Sequence, residues 1–359
     1  MYGRDLLDEW SIRRRLADGR HVLWDGRAAP AAPEVLDQLE RKLERAAGGG
    51  KRRPDVDVLF GDWLLLEESD RERAQRLYHR LVETGGTGIT YTQQGLLGLI
   101  GSAALPGSLP FWEGLVDFKA PGRDRFVKER RRYALAGIGF LVLQHGLEQA
   151  RASLYSFARH ADPGVRRLAL RMLVRACCRR DAPVPEELVA LLRGQAQDDG
   201  DSLVRYMARG WLDSLELEVP EDNPGGAYRF KVKLRGESRA EMVLDLRSEQ
   251  TLDDLHDAIQ EALRWDSDHL YAFYISGELY DDDSVHNGPA EHSEPPFADE
   301  HPLCRLGLLP GHRFLYLFDF GDHHEMTVTL MEVQQKAGRG RYPKIVKKPA
   351  RPPKQYRYF

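Results

Sequence analysis

The densest group of side chains able to hold a metal ion or move a proton is His323-His324-Glu325, two imidazoles followed by a carboxylate. Imidazole nitrogens and carboxylate oxygens both ligate divalent ions. Successive side chains on a strand leave opposite faces, however, so His323 and His324 diverge and no third ligand follows at a defined spacing. Just upstream, Asp319 and Asp322 flank Phe320-Gly321 and are of the type used as paired acids. Aspartate and glycine are also what a hairpin turn requires, and the turn is the preferred reading. His286, His292 and His301 fall in an acidic stretch that can hold at most a weak divalent ion, without the helical His-Glu-x-x-His or the Cys-x-x-Cys spacing of a built site. Gly85-Gly86-Thr87-Gly88 follows a helical pattern and lacks the P-loop lysine, so it stops a helix rather than cradling phosphate. Three cysteines, Cys177, Cys178 and Cys304, are too few for a disulfide framework or a four-cysteine zinc site.

Charge is the second source of candidate chemistry. The net value of −4 hides a segregation: residues 278–300 hold eight acidic side chains and no lysine or arginine, and residues 336–359 hold nine basic ones and no acid. The basic segment, with Lys344, Lys347 and Lys348 and with Tyr342, Tyr356, Tyr358 and Phe359 interleaved, has the composition of a phosphate-contacting, base-stacking arm. Its alternative is a closing segment that wraps over its own domain. Arg167, Arg171 and Arg175 share a helix face, with Arg166, Arg179 and Arg180 nearby and six more basic residues between Arg123 and Arg132. That stripe can meet nucleic acid or form a solvated, salt-bridged face.

The elements that position these residues fall in two parts. At 359 residues, 42% hydrophobic and 30% charged, the chain suits two folded domains rather than one core or a disordered polymer. Apolar positions Leu6, Leu7, Trp10, Ile12 and Leu16 and a second helix from Glu34 to Ala47 precede a Gly-Gly-Gly-Lys-Arg-Arg-Pro linker at 48–54, giving an N-terminal segment 1–70. Residues 71–219 read as helices whose segments repeat. Leu96 to Gly101 matches Ala134 to Gly139 at an offset of 38, Arg132 to Leu135 matches Arg167 to Leu170 at 35, and Val165 to Ala169 matches Val204 to Ala208 at 39. Helix pairs of that period stack into solenoids, and the acidic turn followed by Val-Arg at 162–166 and 201–205 resembles a HEAT-type repeat. An irregular helical bundle is the alternative.

Pro220 to Gly226 breaks the helical pattern, and the period switches from 3.6 to 2. Strands are predicted at Tyr228 to Leu234, Glu241 to Leu246, His269 to Ile275, Arg313 to Phe318 and Met326 to Val333. A helix capped by Thr251 and carrying Leu252, Leu255, Ile259 and Leu263 lies between the second and third. The predicted fold is therefore an all-α HEAT-like repeat region followed by an α+β domain over 227–359, with a β-grasp-like sheet packed on one main helix.

Several ordered motifs in this second part carry a resemblance: Thr251-Leu252-Asp253-Asp254-Leu255-His256, Trp265 with Asp268-His269-Leu270-Tyr271-Ala272-Phe273, Phe318-Asp319-Phe320-Gly321-Asp322, and Tyr342-Pro343 with Pro352-Pro353-Lys354-Gln355-Tyr356. Residues 228–359 thereby resemble the plasmid pRiA4b ORF-3-like family, also described as insertion-element passenger proteins. The resemblance implies a mobile-element setting but no agreed activity. Its motif positions here are His269, Tyr271, Phe273, Asp319, Gly321, Asp322, Tyr342 and Pro343, expected to form a shared surface. His324 stands where tryptophan is common, and the closing segment lacks the cysteines of some members. The resolvase label given to some members finds no serine nucleophile with an arginine cluster here.

No catalytic residue, metal-ligand set or cofactor is assigned from the sequence. The longest apolar stretch, Ala134 to Leu143, is half the roughly 20 residues a membrane span needs, and the start has no signal-peptide order, so a cytoplasmic protein is expected. The expected function is a non-enzymatic interaction or adaptor protein with a protein partner. Nucleic-acid binding through Arg167, Arg171, Arg175, Lys344, Lys347 and Lys348 is the alternative, and a metal-dependent enzyme around Asp319 and Asp322 comes third.

Overall fold

The small residues that recur in the helical segments admit large rings. The computed structural model describes residues 6–8, 10, 32–47, 54–60, 64, 66–86, 88–121, 124–178, 183–237, 240–281, 284–290 and 293–356. A Cβ built on Gly101 would come within 2.4 Å of the Trp10 ring, and one on Gly137 within 2.4 Å of Trp112. The two indoles, 6.3 Å apart between ring centroids, pack with Phe140 in the same core. The helices are α1 (Ala32–Ala47), α2 (Glu68–Thr84), α3 (Ile89–Ala103), α4 (Leu109–Val116), α5 (Val127–His145), α6 (Glu148–Phe157), α7 (Pro163–Cys177), α8 (Glu186–Asp198) and α9 (Ser202–Ser214). The repeated segments 96–101, 134–139, 167–170 and 204–208 fall on α3, α5, α7 and α9, every second helix. The two acidic turns are N-caps: Asp162 accepts from the Gly164 amide at 2.8 Å, and Asp201 from those of Leu203 and Val204 at 3.0 and 3.1 Å. No helix among the described residues is long and apolar enough to cross a membrane.

The chain divides into two compact units, Met1–Pro185 and Glu186–Phe359. This division comes earlier than the change of period at 220–226, because α8 packs on α9 and α9 packs Leu203 and Tyr206 against the core of the sheet domain. Arg205 and Arg209 on α9 are both buried and bracket Asp222, at 2.6 and 2.9 Å. Arg205 also donates to the Gly307 carbonyl at 3.1 Å, and Arg209 to that of Cys304 at 2.9 Å. Arg205, read in sequence as part of a helical repeat motif, is thus an anchor between α9 and the loops of the sheet.

The sheet has seven strands, β1 (Ala227–Leu234), β2 (Glu241–Arg247), β3 (Tyr271–Tyr274), β4 (Val285–Asn287), β5 (Arg313–Phe318), β6 (His324–Gln334) and β7 (Lys344–Lys347), in the order β4-β3-β5-β6-β1-β2-β7. All its strand pairings are antiparallel. The helix α10 (Leu252–Leu263) opens on a full capping box: Thr251 accepts from the Asp254 amide, and the Asp254 carboxylate accepts from that of Thr251. Its Leu252, Leu255, Ile259 and Leu263 join Phe230, Leu244, Phe314, Phe318 and Val328 in the domain core. The first unit follows the same logic with a charged exception. Arg130, only 1% exposed, pairs with Asp124 at 2.6 Å and donates to the Tyr78 hydroxyl at 3.1 Å and the Phe118 carbonyl at 3.2 Å.

Candidate functional site

The β5–β6 hairpin places the acidic motif at the end of the sheet. Asp319 adopts a left-handed backbone conformation, φ 55°. Its Oδ1 accepts from the Gly321 and Asp322 amides at 2.9 and 3.1 Å, and its carbonyl accepts from the His323 amide. The turn expected from Asp-Phe-Gly-Asp is present, and it has a chemical consequence. A Cβ on Gly321 would lie 3.2 Å from Asp319 Oδ1, a close approach. With the turn closed, one ligand atom each from Asp319, Asp322 and His324 lie within 4.8 Å of one another.

His323 and His324 do diverge. His323 shares a hydrogen bond of 3.2 Å with the Tyr280 hydroxyl, whereas the His324 ring lies 4.6 Å from Trp265 and stacks on Phe318. The further donors not found beside His324 in sequence, Asp319 and Asp322, come instead from across the turn, where chain direction reverses. Asp319 is 8% exposed, His324 half-buried and Asp322 exposed. Behind Asp319 stands His269, whose Nε2 is 3.7 Å from Asp319 Oδ2 and shares a 2.7 Å hydrogen bond with the Tyr356 hydroxyl.

Tyr356 belongs to the closing segment, which is tied to its own domain. The Trp265 indole donates to the Pro353 carbonyl at 2.9 Å. The Asp266 amide donates to Gln355 Oε1 at 2.8 Å, and Gln355 Nε2 donates back to the Asp266 carbonyl at 3.0 Å. Further up, β7 pairs with β2, and Lys347 reaches Glu241 at 2.8 Å. Lys347 and Lys233 together hold the Glu241 carboxyl down at about 2. Lys344 donates to the Arg339 carbonyl and lies 4.1 Å from the Tyr342 ring, which also faces Arg247. Of the three lysines named as nucleic-acid contacts, Lys348 alone is given no partner among the described residues, and it is exposed. Tyr358 and Phe359 lie outside the described residues.

The motif residues therefore separate. His269, Asp319, Gly321 and Asp322 gather at the hairpin, and Tyr342 and Pro343 precede β7. Tyr271 and Phe273 are not on a surface: both faces of β3 are covered, and all four of its residues are buried. Tyr271 stacks on His256 at 3.8 Å and donates to the Asp253 carboxylate. His256 Nδ1 shares a 2.6 Å hydrogen bond with the Tyr316 hydroxyl, which accepts from Gln260 at 2.7 Å. Burial pushes His256 down to about 4, so this network holds a neutral imidazole.

The basic stripe on α7 is half-buried at Arg167 and Arg171 and exposed at Arg175, which pairs with Asp8 at 2.7 Å. Arg166 donates to the His160 and Ala161 carbonyls. In the upstream group, Arg130 is a core residue, Arg131 pairs with Asp162 and Arg132 with Glu129. Arg123, Arg179 and Arg180 lie outside the described residues.

Sequence reasoning did not anticipate a cleft of about 380 Å³ beside α9. Tyr206, Met207, Trp211, Val219, Pro296 and Leu306 give it a largely apolar wall. His286, expected in an acidic loop as a weak ligand, is buried at its floor and shares a 2.9 Å hydrogen bond with the Tyr206 hydroxyl. His301 lies 3.9 Å from Asp213 at the polar side, and His292 lies outside the described residues. Gly210 of α9 lines the cleft. A Cβ there would meet nothing within 4 Å.

Residues 226–356 match the family described as plasmid pRiA4b ORF-3-like protein. A solved structure, that of a protein of unknown function, MM3350, from Methanosarcina mazei Go1, is similar at 21% identity over 35% of this chain and 72% of that one, with a TM-score of 0.29. No curated protein matches.

Proposed function

We propose that this is a non-catalytic binding protein whose second unit takes an apolar anchor from a protein partner in the cleft beside α9. The observation that carries the reading is the cleft itself. Its volume of about 380 Å³ falls within the roughly 300–1,000 Å³ of typical ligand sites, and its apolar wall beside a few polar groups, Asp213, His301 and Arg305, is the usual composition. The alternate-helix spacing of the repeated segments supports HEAT-like pairs as a further docking scaffold within this proposal, and the order of strands around α10 a β-grasp-like module. The plasmid in the family's name supports a mobile-element setting.

Gly210 offers the test, because a large side chain there fills the cleft without meeting another atom at its Cβ. Tagged full-length protein should recover a stoichiometric partner from the cells of origin under mild salt. Gly210→Phe should lose that partner while melting with the wild type or slightly above it, since glycine disfavours helix interiors. Equal recovery by both forms, or no stoichiometric partner at all, would defeat the reading.

A second reading, nucleic-acid contact, is favoured by the exposed Lys348, Arg351 and Lys354 on the closing segment. Anisotropy titrations of short DNA and RNA at two salt concentrations should then show affinity falling steeply with salt, and Lys348→Ala with Lys354→Ala should abolish it.

A further inference from the structure

We propose that Asp319, Asp322 and His324 form a site for one divalent transition-metal ion. Two carboxylates and one imidazole present ligand atoms within 4.8 Å of one another, close enough for a single ion to bridge them. Two of the three are fixed before any ion arrives. Asp319 is held by the amides of Gly321 and Asp322, and the His324 ring is packed between Trp265 and Phe318.

The local charge is what a cation would neutralise. Among the described residues no lysine or arginine lies within ion-pair distance of Asp319 or Asp322. The Tyr356 hydroxyl beside them is pushed up by desolvation and then by Asp268, Asp319, Asp322 and Asp266. Two other acids of the same unit are matched by cations, Glu241 by Lys347 and Lys233 and Glu325 by Arg235.

The donor set selects the ion. Magnesium and calcium take oxygen ligands, whereas imidazole with carboxylate suits zinc or manganese. Three protein ligands leave coordination open for water or for a donor from another molecule. His269, set against Asp319 Oδ2 and itself held by Tyr356, occupies the place of the outer hydrogen-bonding groups that orient metal-bound carboxylates.

Calorimetric titration of chelator-treated, desalted full-length protein with zinc, manganese, magnesium and calcium chlorides tests the assignment. One zinc or manganese ion per chain should bind saturably, and more tightly than magnesium or calcium. Asp322→Asn should weaken binding by about tenfold or more while melting with the wild type, because Asp322 is exposed. His323→Gln, next door but turned toward Tyr280, should bind as the wild type does. The proposal is overturned if no ion binds saturably, if Asp322→Asn binds unchanged, or if magnesium and calcium bind as tightly as zinc. Zinc uptake that survives in Asp322→Asn and disappears with Cys177→Ser and Cys178→Ser would place the ion on the adjacent thiols and overturn it equally.

Discussion

In the helical unit the charge at the centre is complete within itself, whereas in the sheet unit the charge at the hairpin is not. Arg130 has a carboxylate, a phenol and a carbonyl around it, and burial, which works against its charge, is outweighed by Asp124 and Tyr78. Tyr78 is correspondingly kept protonated, pushed up to about 12 chiefly by burial. Asp319 and Asp322 share their turn with each other and an imidazole rather than with a guanidinium. A saturated buried network specifies a fold, and an acidic cluster left facing solvent can still take a ligand. Similar residue types therefore do structural work in one unit and remain open for chemistry in the other.

The contrast is broken most directly at Arg130. Arg130→Ala leaves Asp124 and the Tyr78 hydroxyl without their partner, and should cost about 3–5 kcal/mol in denaturant unfolding of the helical unit. A cost no larger than that of a surface substitution would mean the network is not the unit's keystone.

Acid should act first on the sheet unit. His256 is depressed to about 4 against an ordinary 6.5, so the unfolded chain takes up a proton before the folded one does. Its contribution is fully present above pH 6.5 and is lost as pH falls from there toward 4, by roughly 3 kcal/mol in all. His286, also near 4, acts in the same direction. Hydrogen exchange compared at pH 7 and 5, corrected for intrinsic rates, should show α10 and β5 losing protection ahead of α5. The reverse order would remove the distinction.

A smaller effect is expected at the closing segment. Gln355→Ala should speed exchange of the Asp266 amide by about fivefold, the equivalent of one ordinary hydrogen bond. Unchanged exchange would mean that the Gln355 contacts do not hold the segment. The smallest effect belongs to Asp322→Asn, which should leave the unfolding midpoint unmoved; a marked loss of stability would make Asp322 structural, like Asp124.

How much of this was legible in sequence depended on how local the cause was. Strands β1, β2 and β6 alternate clearly, and β5 was bounded correctly at Arg313 and Phe318 because its apolar run is flanked by charge and turn residues. The three-residue β4 and the lysine-bounded β7 were missed, since neither carries a periodic apolar signal. Asp162 and Asp201 declare themselves as caps by position alone. Arg130 did not declare its burial, because a basic side chain among basic neighbours reads as surface until Tyr78 and Asp124 are brought to it from other elements. The hairpin cluster was half legible. Asp319 and Asp322 were recognised as turn acids, but their approach to His324 depends on how β6 re-enters the sheet, which spacing along the chain does not encode.

The arginine bracket on α9 sets the length of chain that can stand alone. A fragment of residues 226–356 alone would leave behind Asp222 together with Arg205 and Arg209. The Gly307 and Cys304 carbonyls would travel without their donors, and the apolar cleft would lose its helical wall. The portion that keeps its buried charges and its cleft intact is therefore longer than the portion that can be recognised by its motifs, and it starts near Glu186.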